Sequence, residues 1–365
     1  MPGLYVHIPF CASACPYCDF AFVVGRDAHA DRYRSAVITE LDARAGDIEG
    51  PLDTVYFGGG TPSTVPPTQL SDIIRLAEEA VGFSDDVEIT VEANPNDYEH
   101  FSALHDLGVT RLSLGIQSMH LSTLVALGRS HTPDDARRSV QTARDAGFTN
   151  LNVDAIFGGP KQTVEQWEAD LQELIALEPD HVSIYGLTIE PRTPYERQRA
   201  AGTLALADED EQAAMYDIAL SLTSTAGLDQ YEISNYAKPG MESRHNLACW
   251  RGDTYMGVGM SAHSYEGHAR AWNVRNMNRY LERIETGESP EEGREVITDE
   301  TRNLEQLMLG LRTRDGVDRA VFRVADTAYR LLSQNLIETH GDRLRLTRSG
   351  KPLADLVSEQ LARDL

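Results

Sequence analysis

Short runs of alternating apolar and polar residues recur along the first half of the chain. Each is followed by a stretch whose apolar residues return at helical spacing. Residues 4–7 form the first run, and 54–57, 87–91, 111–115, 150–156 and 181–185 form the next five. A period of two is the signature of a strand with one buried face. Between these runs, Tyr33, Val37 and Leu41 lie one turn apart in a helix predicted over 30–45. Further helices are predicted over 68–81, 100–107, 133–146 and 164–177, the last packing through Val164, Trp167, Leu171 and Leu174. Six strand–helix alternations imply a parallel sheet with outer helices, either an open doubly wound sheet or a barrel. In both, chemistry gathers at the carboxyl ends of the strands.

The alternation weakens beyond Pro194. Helices are expected over 196–201 and 208–226, a strand over 230–233 and a long loop over 236–250, followed by a glycine-rich stretch at 257–259. The acidic, proline-bearing stretch 287–293 reads as a linker. After it come a helix near 303–311, a second helix, strands at 336–339 and 344–347 around Gly341-Asp342, and a last helix. That order resembles a winged-helix module, here read as a packing or substrate-covering unit.

Unusual residues sit at the predicted strand ends. The first strand runs into Cys11, Cys15 and Cys18, three of the chain's four cysteines. Thiolates at this spacing suit an iron–sulfur cluster or zinc. A structural zinc site normally closes with four protein ligands, which His7, His29 or Cys249 would have to complete. Three ligands without a fourth suggest a cubane with one open iron; a chance group of buried thiols is the plain alternative. The second strand ends in Gly58-Gly59-Gly60-Thr61-Pro62, the third in Glu92-Ala93-Asn94-Pro95, and the fourth in Gly115-Ile116-Gln117-Ser118. The fifth contains Asp154 and the sixth ends at Tyr185-Gly186. Six such ends at one mouth make a site.

Composition narrows the partners. The chain has 365 residues and a net charge of −24, from 57 acidic against 33 basic residues. That balance repels nucleic acid and anionic membrane. No apolar run approaches the ~20 residues of a membrane span, and no signal stretch opens the chain, so a cytoplasmic, non-integral protein with reduced thiols is expected. Lysine is confined to Lys161, Lys238 and Lys351. An acid-rich surface self-repels at low salt, which fits a source with a salty interior; a solvated acidic surface without that meaning is the plain alternative.

The segment from His7 to Phe20, the motifs at 58–62, 92–95 and 115–118, and His245-Asn246 together resemble the radical S-adenosylmethionine family. Within it they are similar to the branch shared by oxygen-independent coproporphyrinogen III dehydrogenase and the haem chaperones. The resemblance covers nearly the whole chain and implies a partial (β/α)6 barrel at 1–195. It further implies an extension at 196–286 and a small C-terminal helical, winged-helix-like domain at 294–365. It implies that Cys11, Cys15 and Cys18 hold three irons of a [4Fe–4S] cluster, leaving the fourth for S-adenosylmethionine. An electron from a one-electron reductant would then release a 5′-deoxyadenosyl radical. Tyr5, Gly59, Gly60, Thr61, Glu92, Gln117, Arg129 and Asp154 match cofactor-binding positions, Gly186 less closely.

Three departures favour the chaperones over the dehydrogenase. Only ten residues precede Cys11, and Phe20 stands where the enzyme has a further cysteine. The enzyme's longer N-terminal segment also helps to bind tetrapyrrole carboxylates. The chaperones carry histidine–asparagine followed by tyrosine–tryptophan, here His245-Asn246-Leu247-Ala248-Cys249-Trp250 with cysteine in the tyrosine's place. The resemblance makes His245 the candidate haem ligand; by spacing alone it is a hydrogen-bonded loop histidine. The implied function is binding haem and delivering it to respiratory haem proteins, with oxidative decarboxylation of coproporphyrinogen III as the alternative.

Overall fold

A computed structural model describes residues 2–25, 27–319 and 326–363. Six strands, β1 (Gly3–Ile8), β2 (Leu52–Gly59), β3 (Phe83–Ala93), β4 (Arg111–Gln117), β5 (Leu151–Phe157) and β6 (His181–Gly186), lie side by side in chain order. Every neighbouring pair among them is parallel. Five helices return the chain between them: α1 (Ala30–Arg44), α2 (Pro67–Ala80), α3 (Phe101–Asp106), α4 (Pro133–Asp145) and α5 (Val164–Ile175). Helices α4 and α5 start where the sequence supplies a capping box, Thr132 with Asp135 and Thr163 with Gln166. Each box satisfies N–H groups that a helix start would otherwise leave bare.

The period-two pattern explains why the sheet is covered on one side and polar on the other. Val6, Val55, Val91, Leu112, Leu114, Val153, Val182 and Ile184 point to one face and are buried in the main core. The intervening residues share the other face, where register aligns Tyr5 with Tyr56, Glu92 with Ser113, and Asp154 with Ser183. Asn152 ties this layer together, donating to Ser113 and Asp154 (2.7 Å each) and accepting from Ser183 (3.1 Å). Arg111 is 1% exposed on the same face. The expected helices and six strands are therefore present, β3 running longer than its pattern indicated.

The sheet extends past both edges to twelve strands. Strand β7 (Tyr255–Val258), running into the glycine-rich stretch, adds in parallel to β1. Its glycine permits close approach: a Cβ on Gly257 would lie 2.0 Å from the His263 carbonyl oxygen. Antiparallel strands His263–Tyr265, Ala269–Asn273 and Glu291–Val296 follow. Part of the stretch read as a linker is thus a charged edge strand, a composition that discourages further strand pairing. At the other edge Asn235–Ala237 pairs antiparallel to β6 and then with Asp229–Gln230, where one strand over 230–233 was expected. Helices Pro194–Ala200 and α6 (Glu209–Thr225) occupy the stretches predicted for them.

The long loop expected over 236–250 contains an eight-residue helix, α7 (Arg244–Arg251), capped by Ser243. The tail has its own core of Leu307, Leu311, Leu331, Ile337 and Val357. It follows the expected order, with helices Asp299–Leu311, Asp326–Ser333 and Ala354–Ala362 around the hairpin Ile337–His340 and Arg343–Leu346. Residues 320–325, 364 and 365 of that module lie outside the described residues. Arg314 to Glu242 (2.8 Å) and Arg251 to Asp315 (3.3 Å) pin the tail to the α7 region.

Candidate cluster and cofactor site

The cysteine loop leaves β1 and folds over the barrel mouth. Phe10–Cys11 pairs with Val23–Val24, closing the loop at its base, and the Cys18 amide donates to the Cys15 carbonyl (3.2 Å). The three thiols are free and half-buried. Cys11 Sγ lies 3.6 Å from Thr61 Oγ1, and Cys15 Sγ accepts from Arg129 Nη1 at 3.6 Å. Burial pushes the Cys11 thiol up and the Cys18 thiol to about 11. Metal coordination would reverse that, since a bound thiol loses its proton. Among the described residues no three His, Cys, Asp or Glu side chains converge on a single-ion site.

Beside the thiols, the end of β2 forms a backbone cradle. Gly59 has φ +111°, and a Cβ there would lie 2.4 Å from the His7 ring. A Cβ on Gly60 would lie 2.6 Å from the Pro9 carbonyl. Only glycine fits both positions. The Gly60 and Thr61 amides donate to Ile8 and Phe10 carbonyls at 2.8 Å, fixing the cradle against the cysteine loop.

Four side chains complete the mouth. Glu92 accepts from Tyr56 Oη (2.7 Å) and the Gly59 amide (3.2 Å), and burial raises its carboxyl to about 7. Burial likewise raises Asp154, held by Asn152. Arg129 donates to the Gly115 carbonyl (2.9 Å) and to Asn94, while its Nε is buried without a partner. Gln117 sits at φ +69° with Oε1 also buried and unpartnered. All four line one cavity of about 540 Å³ together with Cys11, Cys15, Cys18, Gly59, Gly60, Thr61 and Gly186. Buried polar groups are normally paired. Two orphaned groups beside three thiols and a glycine cradle therefore fit a polar cofactor bound next to a cluster.

Two expected residues stand apart from this cavity's lining. Tyr5 lies deeper, its hydroxyl 3.1 Å from His7 Nδ1 and its ring 6.2 Å from that of Tyr56. His245, on α7, is 5% exposed. Its Nδ1 meets Thr54 Oγ1 at 2.9 Å, and its ring lies 5.0 Å from Tyr56 and 6.2 Å from Tyr255. Burial lowers the imidazole to about 4, which keeps it neutral at physiological pH. Sequence reasoning left three supporting residues off the site. Tyr56 anchors Glu92, Asn94 links Arg129 to Thr61 Oγ1 (3.3 Å), and Arg111 places a positive charge near Glu92 and Asp154. For Tyr56 and Arg111 the signal was inward register on strands already identified; Asn94 follows β3 and stood within the motif read at its end.

Residues 5–174 match the radical SAM superfamily model, and 297–353 match the HemN C-terminal domain. The haem chaperone HemW of Mycobacterium tuberculosis is 35% identical over 98% of this chain and 94% of its own length. That of Bacillus subtilis is 35% identical over 98% of both chains. This chain belongs to the radical SAM superfamily, in its HemW family. The solved structure of Escherichia coli coproporphyrinogen III oxidase, HemN, described as a radical SAM enzyme, superposes with a TM-score of 0.86 at 23% identity. The match covers 100% of this chain and 90% of that one. It establishes the fold: a partial radical SAM barrel, as the motifs implied, with a HemN-type C-terminal domain. Membership of the radical SAM superfamily implies a [4Fe–4S] cluster and S-adenosylmethionine, and the mouth holds residues of the kinds they require.

Proposed function

We propose that this chain is a cytoplasmic haem chaperone: it binds haem and passes it to respiratory haem proteins. Full-length likeness to relatives named haem chaperones carries the reading. Cys11, Cys15 and Cys18 would ligate the [4Fe–4S] cluster, and Arg129 beside Cys15 would offset thiolate charge. Held by these thiolates and reduced by a one-electron donor, a cluster here would supply an electron for the sulfonium of S-adenosylmethionine.

The chain's own residues bind and orient that cofactor. Gly59 and Gly60 let backbone approach it, and Thr61 stands beside Cys11 at the cradle's edge. Glu92 would accept from its amine or a hydroxyl, and Gln117, Arg129 and Asp154 would satisfy its remaining polar groups. Tyr5 would act one layer below, through Tyr56 and Glu92. His245, a neutral imidazole, is the proposed iron ligand for haem. Thr54 Oγ1 contacts Nδ1, so the iron would take Nε2 and the Thr54 contact would orient the ring.

Haem titration of anaerobically reconstituted protein, beside a coproporphyrinogen III decarboxylation assay, tests the reading. Stoichiometric haem uptake without protoporphyrinogen formation is expected. Decarboxylation without haem uptake would replace it with the dehydrogenase alternative.

A further inference from the structure

A second cavity, about 1100 Å³ in volume, opens between α7, the strands after it and the tail. It is larger than the mouth, and just above the roughly 300–1,000 Å³ usual for small-molecule sites. Its charge runs against the rest of the chain. In a protein of net charge −24, six arginines line it: Arg251, Arg270, Arg302, Arg314, Arg343 and Arg345. Four acidic residues line it with them, and Arg251, Arg270, Arg314 and Arg345 are ion-paired with Asp315, Glu305, Glu242 and Glu338.

Two of the arginines matter most. Arg302 donates to the Gly267 carbonyl (3.0 Å), and Arg343 to the carbonyls of Asp315 and Gly316 (2.6 Å each). Among the described residues neither shows a hydrogen bond to a carboxylate; Arg302 forms only a long ion pair (3.7 Å) with Asp299, which is 96% exposed. Both retain guanidinium charge for a ligand carboxylate, which arginine grips through paired N–H donors. The wall adds aromatic surface from Trp250, Tyr255 and Tyr265. A pocket with separated guanidinium groups and several aromatic rings suits a flat macrocycle bearing carboxylates.

The cavity also adjoins the proposed iron ligand. Tyr255 lines it, and on the other side the Tyr255 ring meets the His245 ring edge-on at 6.2 Å. Cys249 and Trp250, from the same helix as His245, form part of the wall. One tyrosine ring therefore stands between the cavity and the imidazole.

We infer that haem sits in this arginine-lined cavity and not at the cluster mouth, with Tyr255 as the side chain that turns aside to expose His245. The inference rests on the haem-chaperone reading. It assigns the two cavities separate cargoes, the 540 Å³ mouth taking cluster and cofactor and the larger cavity the tetrapyrrole.

The test is haem titration, followed by Soret absorbance, of reconstituted full-length protein and three variants. Arg302→Glu reverses one anchoring charge, and Gln306→Trp fills the cavity from an exposed helix position. Asn303→Trp places the same bulk on that helix outside the lining. S-adenosylmethionine binding and thermal melting are measured on each protein. The expected result is a haem dissociation constant at least tenfold higher for Arg302→Glu and Gln306→Trp, with Asn303→Trp, cofactor binding and melting unchanged. Wild-type haem affinity in both cavity variants would overturn the placement and leave the chaperone reading standing. Failure of the unaltered protein to take up haem would remove that reading and the inference with it.

Discussion

The Tyr56 hydroxyl donates to Glu92 Oε1 at 2.7 Å, while the Gly59 amide donates to the other carboxylate oxygen at 3.2 Å. One side chain thereby joins the glycine cradle to the polar layer inside the barrel. The two bonds favour the carboxylate, yet burial outweighs them and raises the carboxyl to about 7. Burial favours the neutral acid, so the folded protein holds this proton more tightly than the unfolded chain.

Glu92 therefore gives cofactor binding a pH dependence. Its burial penalty is absent below about pH 4.5 and complete above about 7, reaching at most about 3 kcal/mol. Replacing Glu92 with Gln should raise the melting temperature of ligand-free protein at pH 8 and leave it unchanged near pH 4.5. A cationic cofactor needs the ionised form, so S-adenosylmethionine affinity should weaken as pH falls through 7. Calorimetric titration between pH 5.5 and 8.5 measures this, and Glu92→Gln should flatten the profile.

Gly60→Ala tests the cradle. Its Cβ would meet backbone at 2.6 Å, which cannot rotate away as a side chain can. A loss of roughly 1–3 kcal/mol is expected from such overpacking, with cofactor affinity down tenfold or more. Denaturant unfolding and equilibrium dialysis measure the two effects. Unchanged cofactor binding would mean that the backbone here does not approach the ligand.

His245→Ala separates ligation from packing. Removing a buried imidazole leaves the Thr54 hydroxyl without its partner, costing about 1–3 kcal/mol. Ligation adds a different consequence: haem affinity should drop and the Soret band should shift. A destabilised variant with an unaltered haem spectrum would leave His245 only its role against Thr54 and Tyr56.

Much of the barrel could be read directly because its strands obey one rule. Val91-Glu92-Ala93 and Val153-Asp154-Ala155 each place a carboxylate between apolar neighbours, announcing both a strand and an inward polar face. The site was legible where it coincided with strand ends, as at the cysteines and glycines. It was less so where function depends on pairing across distance. Nothing near Tyr56 or Arg111 in the chain marks them as partners of Glu92; only sheet register does. Helix α7 was hidden because it is eight residues long and follows Lys238-Pro239-Gly240, although Ser243 supplies its cap. The edge strand Glu291–Val296 was hidden because its side chains are mostly exposed and charged, so its sheet membership comes from backbone pairing.

The acidic surface should make stability salt-dependent. With a net charge of −24, self-repulsion is screened as ionic strength rises. The melting temperature should climb from low salt to molar potassium chloride. A flat or falling curve would remove the salty-interior reading.

Anaerobic iron and sulfide analysis of reconstituted protein, with electron paramagnetic resonance before and after adding S-adenosylmethionine, tests the central claim most directly. About four irons and four sulfides per chain are expected, with a signal that changes on cofactor addition and is lost when Cys11, Cys15 or Cys18 becomes Ala. About one zinc per chain, no sulfide and no response to the cofactor would contradict it.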